Sequence, residues 1–120
     1  FHPSFAGVST GLLHGAQPDA LVLCHDPMRR TMRGLSHYQP PRLDDCLEAN
    51  LRAARLTNPQ VRAVGIALNT SAMDAAQATD LCARTADMFG LPCSDPYRMG
   101  VDAMVDLLLA MDAPAATETI

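Results

Sequence analysis

The chain has 120 residues, a common size for one domain, and 48% of them are hydrophobic, so it can bury a core. A net charge of −4 argues against a general nucleic-acid surface. All nine basic residues are arginine, which excludes chemistry that needs a lysine of this chain, such as a Schiff base. No apolar run reaches transmembrane length, so we expect no membrane association and a cytoplasmic location.

The cysteines and histidines give little sign of a metal or redox site. No two cysteines form a C-x-x-C pair, and free buried thiols in a reducing compartment are expected. Cys24 is set aside as a nucleophile because its place in an apolar run predicts burial and a raised pKa. The four histidines lack the close spacing of a zinc site, so no metal site is predicted.

The first third of the chain predicts a helix, a strand and a loop. Residues 2–16 form the predicted helix, in which Gly7 and Gly11 are expected to allow close packing on a sheet. The run DALVLCH at 19–25 is short and continuously apolar, which predicts a strand buried on both faces. Residues 25–42 then form a long polar loop.

The remaining elements continue this alternation of helices and strands. Asp44 or Asp45 is expected to cap the next helix, and Gly90 to end the one after it. Residues 113–120 are expected to form a flexible tail outside a domain at 1–112. The elements predicted after the loop are a helix at 43–57, a strand at 61–69, a helix at 73–90, a short strand at 91–96 and a helix at 97–111.

This order predicts an α/β fold with three layers, a mainly parallel sheet and right-handed crossovers. Three strands make a thin sheet, and no strand precedes the leading helix. We therefore expect the chain to be a piece of a longer protein whose earlier strands lie upstream.

Polar side chains follow the carboxyl end of each predicted strand, where open parallel sheets bind ligands. The amino end of the first helix should face the same edge, and its N–H groups favour anions. The third loop continues into Tyr97 and Arg98. The candidate site residues are His2 before the first helix, His25, Asp26, Arg29, Arg30, Arg33 and His37 after the first strand, Asn69 and Thr70 after the second, and Asp95 and Pro96 after the third.

Each group of candidates has two interpretations. The arginines either hold a carboxylate or phosphate in their guanidinium forks, or are loop charges paired with nearby aspartates. His25 beside Asp26 is either an oriented base or part of a local turn. Asn69 and Thr70 either contact a ligand or only cap the helix that follows.

Several segments resemble one bacterial family, the D-glutamate N-acetyltransferases, formerly classed as a domain of unknown function. They are FHPSFAGVSTGLLHGAQPDALVLCHDPMR, a Y-x-x-P, LEANLRAARLTNPQVRAVGIALNT and GLPCSDPYRMG. The segments HP…GLLHGAQPD and LVLCH-x-P-x-R are the specific ones. The resemblance runs from Phe1 to about Leu109.

The resemblance implies a longer protein with an amino-terminal Rossmann-like domain and a carboxyl-terminal P-loop-type domain similar to dethiobiotin synthetase. This chain would be the back half of the P-loop NTPase-like domain, with the glycine-rich phosphate loop and its lysine upstream. That missing upstream part is one expected partner, and a homo-oligomer is also expected.

The implied reaction is acetyl transfer from acetyl-CoA to the amino group of D-glutamate, a small-molecule substrate. His25 or His2 would act as base. A group after the first strand would bind substrate, and it comprises Arg29, Arg30, Arg33, Asp26 and His37. A second group would flank an adenine of the cofactor, and it comprises Asn69, Thr70 and the SDPYR turn with Asp95, Pro96, Tyr97 and Arg98.

Two other functions stay open. The P-loop-like architecture and the Asn69 loop also suit a kinase or ligase that uses ATP with Mg²⁺. The absence of lysine and of a complete catalytic set suits a non-catalytic module that binds an anion or a nucleotide.

Overall fold

The computed structural model describes residues 2–111, and the predicted tail at 113–120 lies outside the described residues. The observed order confirms the predicted α/β class. The elements are α1 (Ala6–Ala16), β1 (Ala20–His25), α2 (Leu43–Arg55), β2 (Arg62–Leu68), α3 (Ala75–Phe89), β3 (Cys93–Ser94), α4 (Pro96–Met99) and α5 (Asp102–Met111).

The three strands form one parallel sheet in the order β1-β2-β3. His25 at the end of β1 is the register partner of Leu68 at the end of β2. Ile66 pairs with Cys93, and Ala67 with Ser94, at the other edge. The carboxyl ends of all three strands therefore meet at one edge of the sheet, as the sequence predicted.

The core lies on both faces of β2. Ile66 and Leu68 point to one face and pack with Cys82 of α3, and Leu43 of α2 packs against the same cluster. Gly65 points to the opposite face because side chains alternate along a strand. That face is covered by Met104 of α5. The sheet thus lies between two helical layers, and the prediction that β2 is buried is confirmed.

The prediction that β1 is buried on both faces is wrong. In the sheet of residues 2–111, β1 lies at the edge, and Val22 remains 44% exposed. The predicted close packing of α1 on the sheet is also wrong, since a Cβ built at Gly7 or Gly11 meets no atom of another described element within 4 Å. Helix α1 contacts α2 instead, and His14 Nε2 donates a hydrogen bond to the carbonyl of Ala53 at 2.9 Å.

Two further element predictions need correction. The last helix is broken into α4 and α5 at Gly100, whose φ of 74° is left-handed. Helix α2 begins after Arg42 without a side-chain cap, because the carboxylate of Asp44 bonds to Arg42 and to its own neighbour Asp45. The predicted end of α3 at Gly90 is confirmed, with φ of 63°.

The four cysteines are free, but their burial differs from the prediction. Cys82 is buried, Cys46 and Cys93 are half-buried, and Cys24 is exposed. Burial, together with the neighbouring Cys82, raises the pKa of the Cys93 thiol to about 12. Cys93 therefore stays protonated in the core, whereas Cys24 is open to solvent because β1 is an edge strand.

Among the helices of residues 2–111, none is long and apolar enough to cross a membrane.

The contact between α5 and the sheet depends on the missing side chain of Gly65. A Cβ at this position would lie 2.5 Å from Met104 Cγ and 2.6 Å from its sulfur, well inside van der Waals contact. Met104 itself is buried. The glycine thus sets how closely α5 approaches β2.

We predict that Gly65→Ala lowers the free energy of unfolding by about 1–3 kcal/mol, because Met104 must move out of a packed site. Gly11→Ala is the matched control, since the same added methyl group meets open space in α1. That variant should be neutral or stabilise by about 0.4–1 kcal/mol. Urea denaturation measures both, and equal stabilities for the two variants would refute the close approach.

Candidate functional site

An open cleft of about 980 Å³ lies beyond the carboxyl ends of the three strands. All three loops at this edge contribute to it. The residues that line it are Cys24, His25, Asp26 and Arg29 from the β1 side, Ala67, Leu68, Asn69 and Ser71 from the β2 side, and Asp95, Pro96, Tyr97 and Arg98 from the β3 side. The predicted convergence of polar loops on one edge is therefore present in the structure.

The wall after β1 is shaped by a tight turn at Asp26. Its Oδ1 accepts a hydrogen bond from the N–H of Met28 at 3.0 Å, and its carbonyl accepts one from the N–H of Arg29 at 3.2 Å. The local-turn interpretation of Asp26 is thus correct. The same turn places Arg29 on the cleft.

His25 is suited to accept a proton. Partial burial lowers its pKa below the ordinary value of 6.5, the neighbouring Asp26 carboxylate opposes this shift, and Arg29 adds to it. The imidazole is therefore mainly neutral at pH 7. Neither of its ring nitrogens forms a hydrogen bond with another residue of 2–111. The imidazole lines the cleft with neither ring nitrogen engaged by a described residue.

The loops after β2 and β3 are joined by Thr70 and Asp95. Thr70 is fully buried, and both its N–H and its Oγ1–H donate to Asp95 Oδ2, the former at 3.0 Å. Asp95 Oδ1 accepts from the N–H of Tyr97 at 3.0 Å. The Thr70 hydroxyl is the main cause that lowers the pKa of Asp95, and backbone N–H groups add to it, so this carboxylate is ionised at neutral pH.

Thr70 lies behind the cleft wall, with both donors already used by Asp95. Asn69 lines the cleft, and its Oδ1 accepts from the N–H of Ser71 at 3.1 Å. Neither residue caps the following helix, because Asp74 does so through a reciprocal pair of bonds with Gln77.

Besides Thr70, four predicted site residues do not line the cleft. His2 ties the β1 loop to the start of α1, because its Nε2–H donates to the carbonyl of Arg33 at 2.7 Å. Its Nδ1 accepts from the N–H of Ser4 at 3.1 Å, so both ring nitrogens are already used. The other three, which are Arg30, Arg33 and His37, have exposed side chains outside the cleft.

The structure brings Tyr97 and Arg98 of the predicted SDPYR turn to the cleft, together with Cys24, which had been given no role. Cys24 was set aside as buried, although it is exposed. Tyr97 is fully exposed, at 102% of its reference area. Arg98 donates to the carbonyl of Met73 at 2.6 Å, and its Nε lies 4.0 Å from Asp95 Oδ2. Tyr97 and Arg98 directly follow the third strand, and this position is the signal by which the sequence included them among the polar loops.

The charge in the cleft comes from few groups. Among the ion pairs of residues 2–111, none involves Arg29. Within the same range, no three side chains of His, Cys, Asp or Glu come together as a metal site would require. Arg29 is therefore an unpaired cation within the described structure, and it suits a carboxylate or phosphate.

A parallel sheet with a polar cleft at its carboxyl edge is typical of α/β domains that bind ligands. Sequence comparison identifies the family to which this domain belongs. A family model described as a domain of unknown function (DUF1611_C), P-loop domain, matches residues 1–105. The chain belongs to this family, which also confirms the predicted P-loop-type fold.

Curated relatives carry a functional name. A D-glutamate N-acetyltransferase of a Pseudoalteromonas species is 54% identical over 87% of this chain and 31% of its own length. A second, from Tritonibacter scottomollicae, is 41% identical over 92% of this chain and 33% of its own length. The chain thus spans about a third of each relative.

A solved structure shows the same fold. The crystal structure of a DUF1611 family protein from Anabaena variabilis matches with a TM-score of 0.76 and 32% sequence identity. The match covers 85% of this chain and 30% of that protein.

We predict that Thr70→Val lowers the free energy of unfolding at pH 7 by about 1–3 kcal/mol, because the ionised Asp95 loses its side-chain donor. The lowered pKa of Asp95 stabilises the fold fully above 3.8, and this contribution is lost as the pH falls through the lower folded value. The difference between variant and parent should therefore shrink below pH 3.8.

Urea denaturation across a pH series measures this difference. Thr79→Val is the matched control, because Thr79 is exposed on α3 and bonds only to a carbonyl of its own helix. It should change stability by less than about 0.5 kcal/mol. A Thr70→Val deficit that stays constant down to pH 2 would contradict the assigned pairing.

Proposed function

We propose that this chain is part of an N-acetyltransferase that moves the acetyl group of acetyl-CoA to the amino group of D-glutamate. The observation that carries the proposal is His25, a half-buried imidazole with a lowered pKa on the wall of the cleft. The names of the two curated relatives supply the substrate.

The reaction needs a base because its nucleophile, the amino group of D-glutamate, must first lose a proton. The amino group of D-glutamate is an ammonium ion near neutral pH and cannot attack until it loses a proton. Neutral His25 accepts that proton. The freed amine then attacks the thioester carbonyl, a C–N bond forms, the C–S bond breaks, and CoA leaves as a thiolate that takes up a proton.

The two sides of the cleft suit the two substrates. Arg29 offers a guanidinium group to a carboxylate or phosphate. On the opposite side, the group proposed to bind the cofactor keeps three members that line the cleft, which are Asn69, Asp95 and Pro96. Tyr97 of the same turn belongs to this group as well, and its exposed ring offers a flat apolar surface to a base.

The activity is proposed for a longer polypeptide, because the curated relatives are about three times the length that this chain covers. The remaining part would supply the phosphate loop and its lysine, neither of which occurs here. We further propose a cytoplasmic location and a homo-oligomer. The 120-residue chain alone is expected to be inactive.

The proposal is tested by acetyl transfer in the longer polypeptide. Thiol release is measured with acetyl-CoA and D-glutamate, L-glutamate or no amino acid, each with and without ATP and Mg²⁺. Release that requires D-glutamate but not ATP supports the acetyltransferase. ADP formation without thiol release would overturn it in favour of a kinase or ligase.

We predict that His25→Gln lowers kcat/KM by about 10²–10⁴-fold while the melting temperature stays nearly constant. In the parent enzyme, kcat/KM should fall on the acidic side with a midpoint below 6.5, because burial lowers the pKa of His25. A variant that keeps both the rate and this acid limb would show that another group is the base.

A further inference from the structure

A second, smaller cavity of about 130 Å³ lies beside the cleft. The two cavities share one wall, which is formed by Cys24, His25, Asp26 and Arg29. The large one, at about 980 Å³, is at the top of the range of about 300–1,000 Å³ for drug-sized ligands, and the small one is well below it. Their sizes suit two different ligands rather than one.

The far wall of the small cavity is apolar. It includes Met32, Pro41 and Leu43. Met32 is buried there because the loop after β1 folds back, with the N–H of Met32 bonded to the carbonyl of Tyr38 at 2.8 Å. Such a wall suits methylene groups and would leave a charged group without a partner.

The shared wall carries opposite charges on one turn. Arg29 presents a guanidinium group, and Asp26 presents a carboxylate whose Oδ2 makes no hydrogen bond within residues 2–111. An amino acid carries an ammonium and a carboxylate a few ångströms apart, which matches this pair of charges. His25 lies on the same wall, next to where such an ammonium would sit.

We propose that the small cavity is the subsite for the acceptor amino acid and that the large cleft holds the acyl donor. Asp26 receives the ammonium group, Arg29 binds a carboxylate, and the apolar wall covers the methylenes. His25 lies on the boundary, so the amine and the thioester carbonyl meet there. This assignment rests on the proposed function and makes Arg29 and Asp26 the residues that select the acceptor.

The test measures the KM for D-glutamate and the KM for acetyl-CoA separately, in variants of the longer polypeptide. Arg29→Met should raise the KM for D-glutamate by about 10- to 100-fold, because a charge-assisted hydrogen bond is lost, and leave the KM for acetyl-CoA within about twofold. Asp26→Asn should act in the same direction. Tyr97→Ala should do the reverse and raise the KM for acetyl-CoA alone.

Arg55→Met is the matched control, since Arg55 is exposed near the end of α2, away from both cavities, and should change neither constant. Arg29→Lys should recover part of the D-glutamate affinity because it keeps the charge. An Arg29→Met variant that weakens only acetyl-CoA, or both substrates equally, would overturn the assignment.

Failure of the proposed function would look different. If the parent polypeptide shows no thiol release, calorimetry of D-glutamate binding tests separately whether the small cavity is an amino-acid subsite. Binding that is lost in Arg29→Met and kept in Arg55→Met supports the subsite. Absent binding, or binding that is unaffected by Arg29→Met, overturns it.

Discussion

One buried carboxylate fixes the geometry of the cleft. Asp95 accepts hydrogen bonds from the buried Thr70 and from the N–H of Tyr97, so it joins the loops after β2 and β3. A buried charge is tolerable only when its hydrogen bonds are satisfied, and here the donors hold it in the ionised form. The rest of the site depends on this link, because Asn69 and Tyr97 sit on the two loops that it connects.

The opposite wall of the cleft, after β1, is not held by a buried carboxylate. The loop after β1 carries its charges near the surface, and it is anchored by the turn at Asp26 and by the bond from His2 to the carbonyl of Arg33. Half-burial at the end of an edge strand keeps His25 neutral while leaving it open to the cleft. A wall joined by one buried carboxylate thus faces a wall whose charges lie near the surface.

The sequence could predict what depends on local pattern. The apolar run of β2, the glycine that ends α3, and the meeting of the three loops at one edge all follow from strand and cap signals. The exposure of Cys24 could not be predicted, because an apolar run does not reveal whether its strand is central or at an edge. The inward position of Thr70 depends on Asp95, which is 25 residues away and has no local signal.

Binding of both substrates at the carboxyl edge of the sheet is tested most directly by the alkylation rate of Cys24 in the longer polypeptide, followed by peptide mass spectrometry. Its thiol is exposed and lines both cavities, whereas the buried Cys82 serves as an internal control. If the two cavities bind these substrates, acetyl-CoA and D-glutamate at saturating concentration should each slow the modification of Cys24. An unchanged rate with both ligands present would contradict binding at this edge of the sheet.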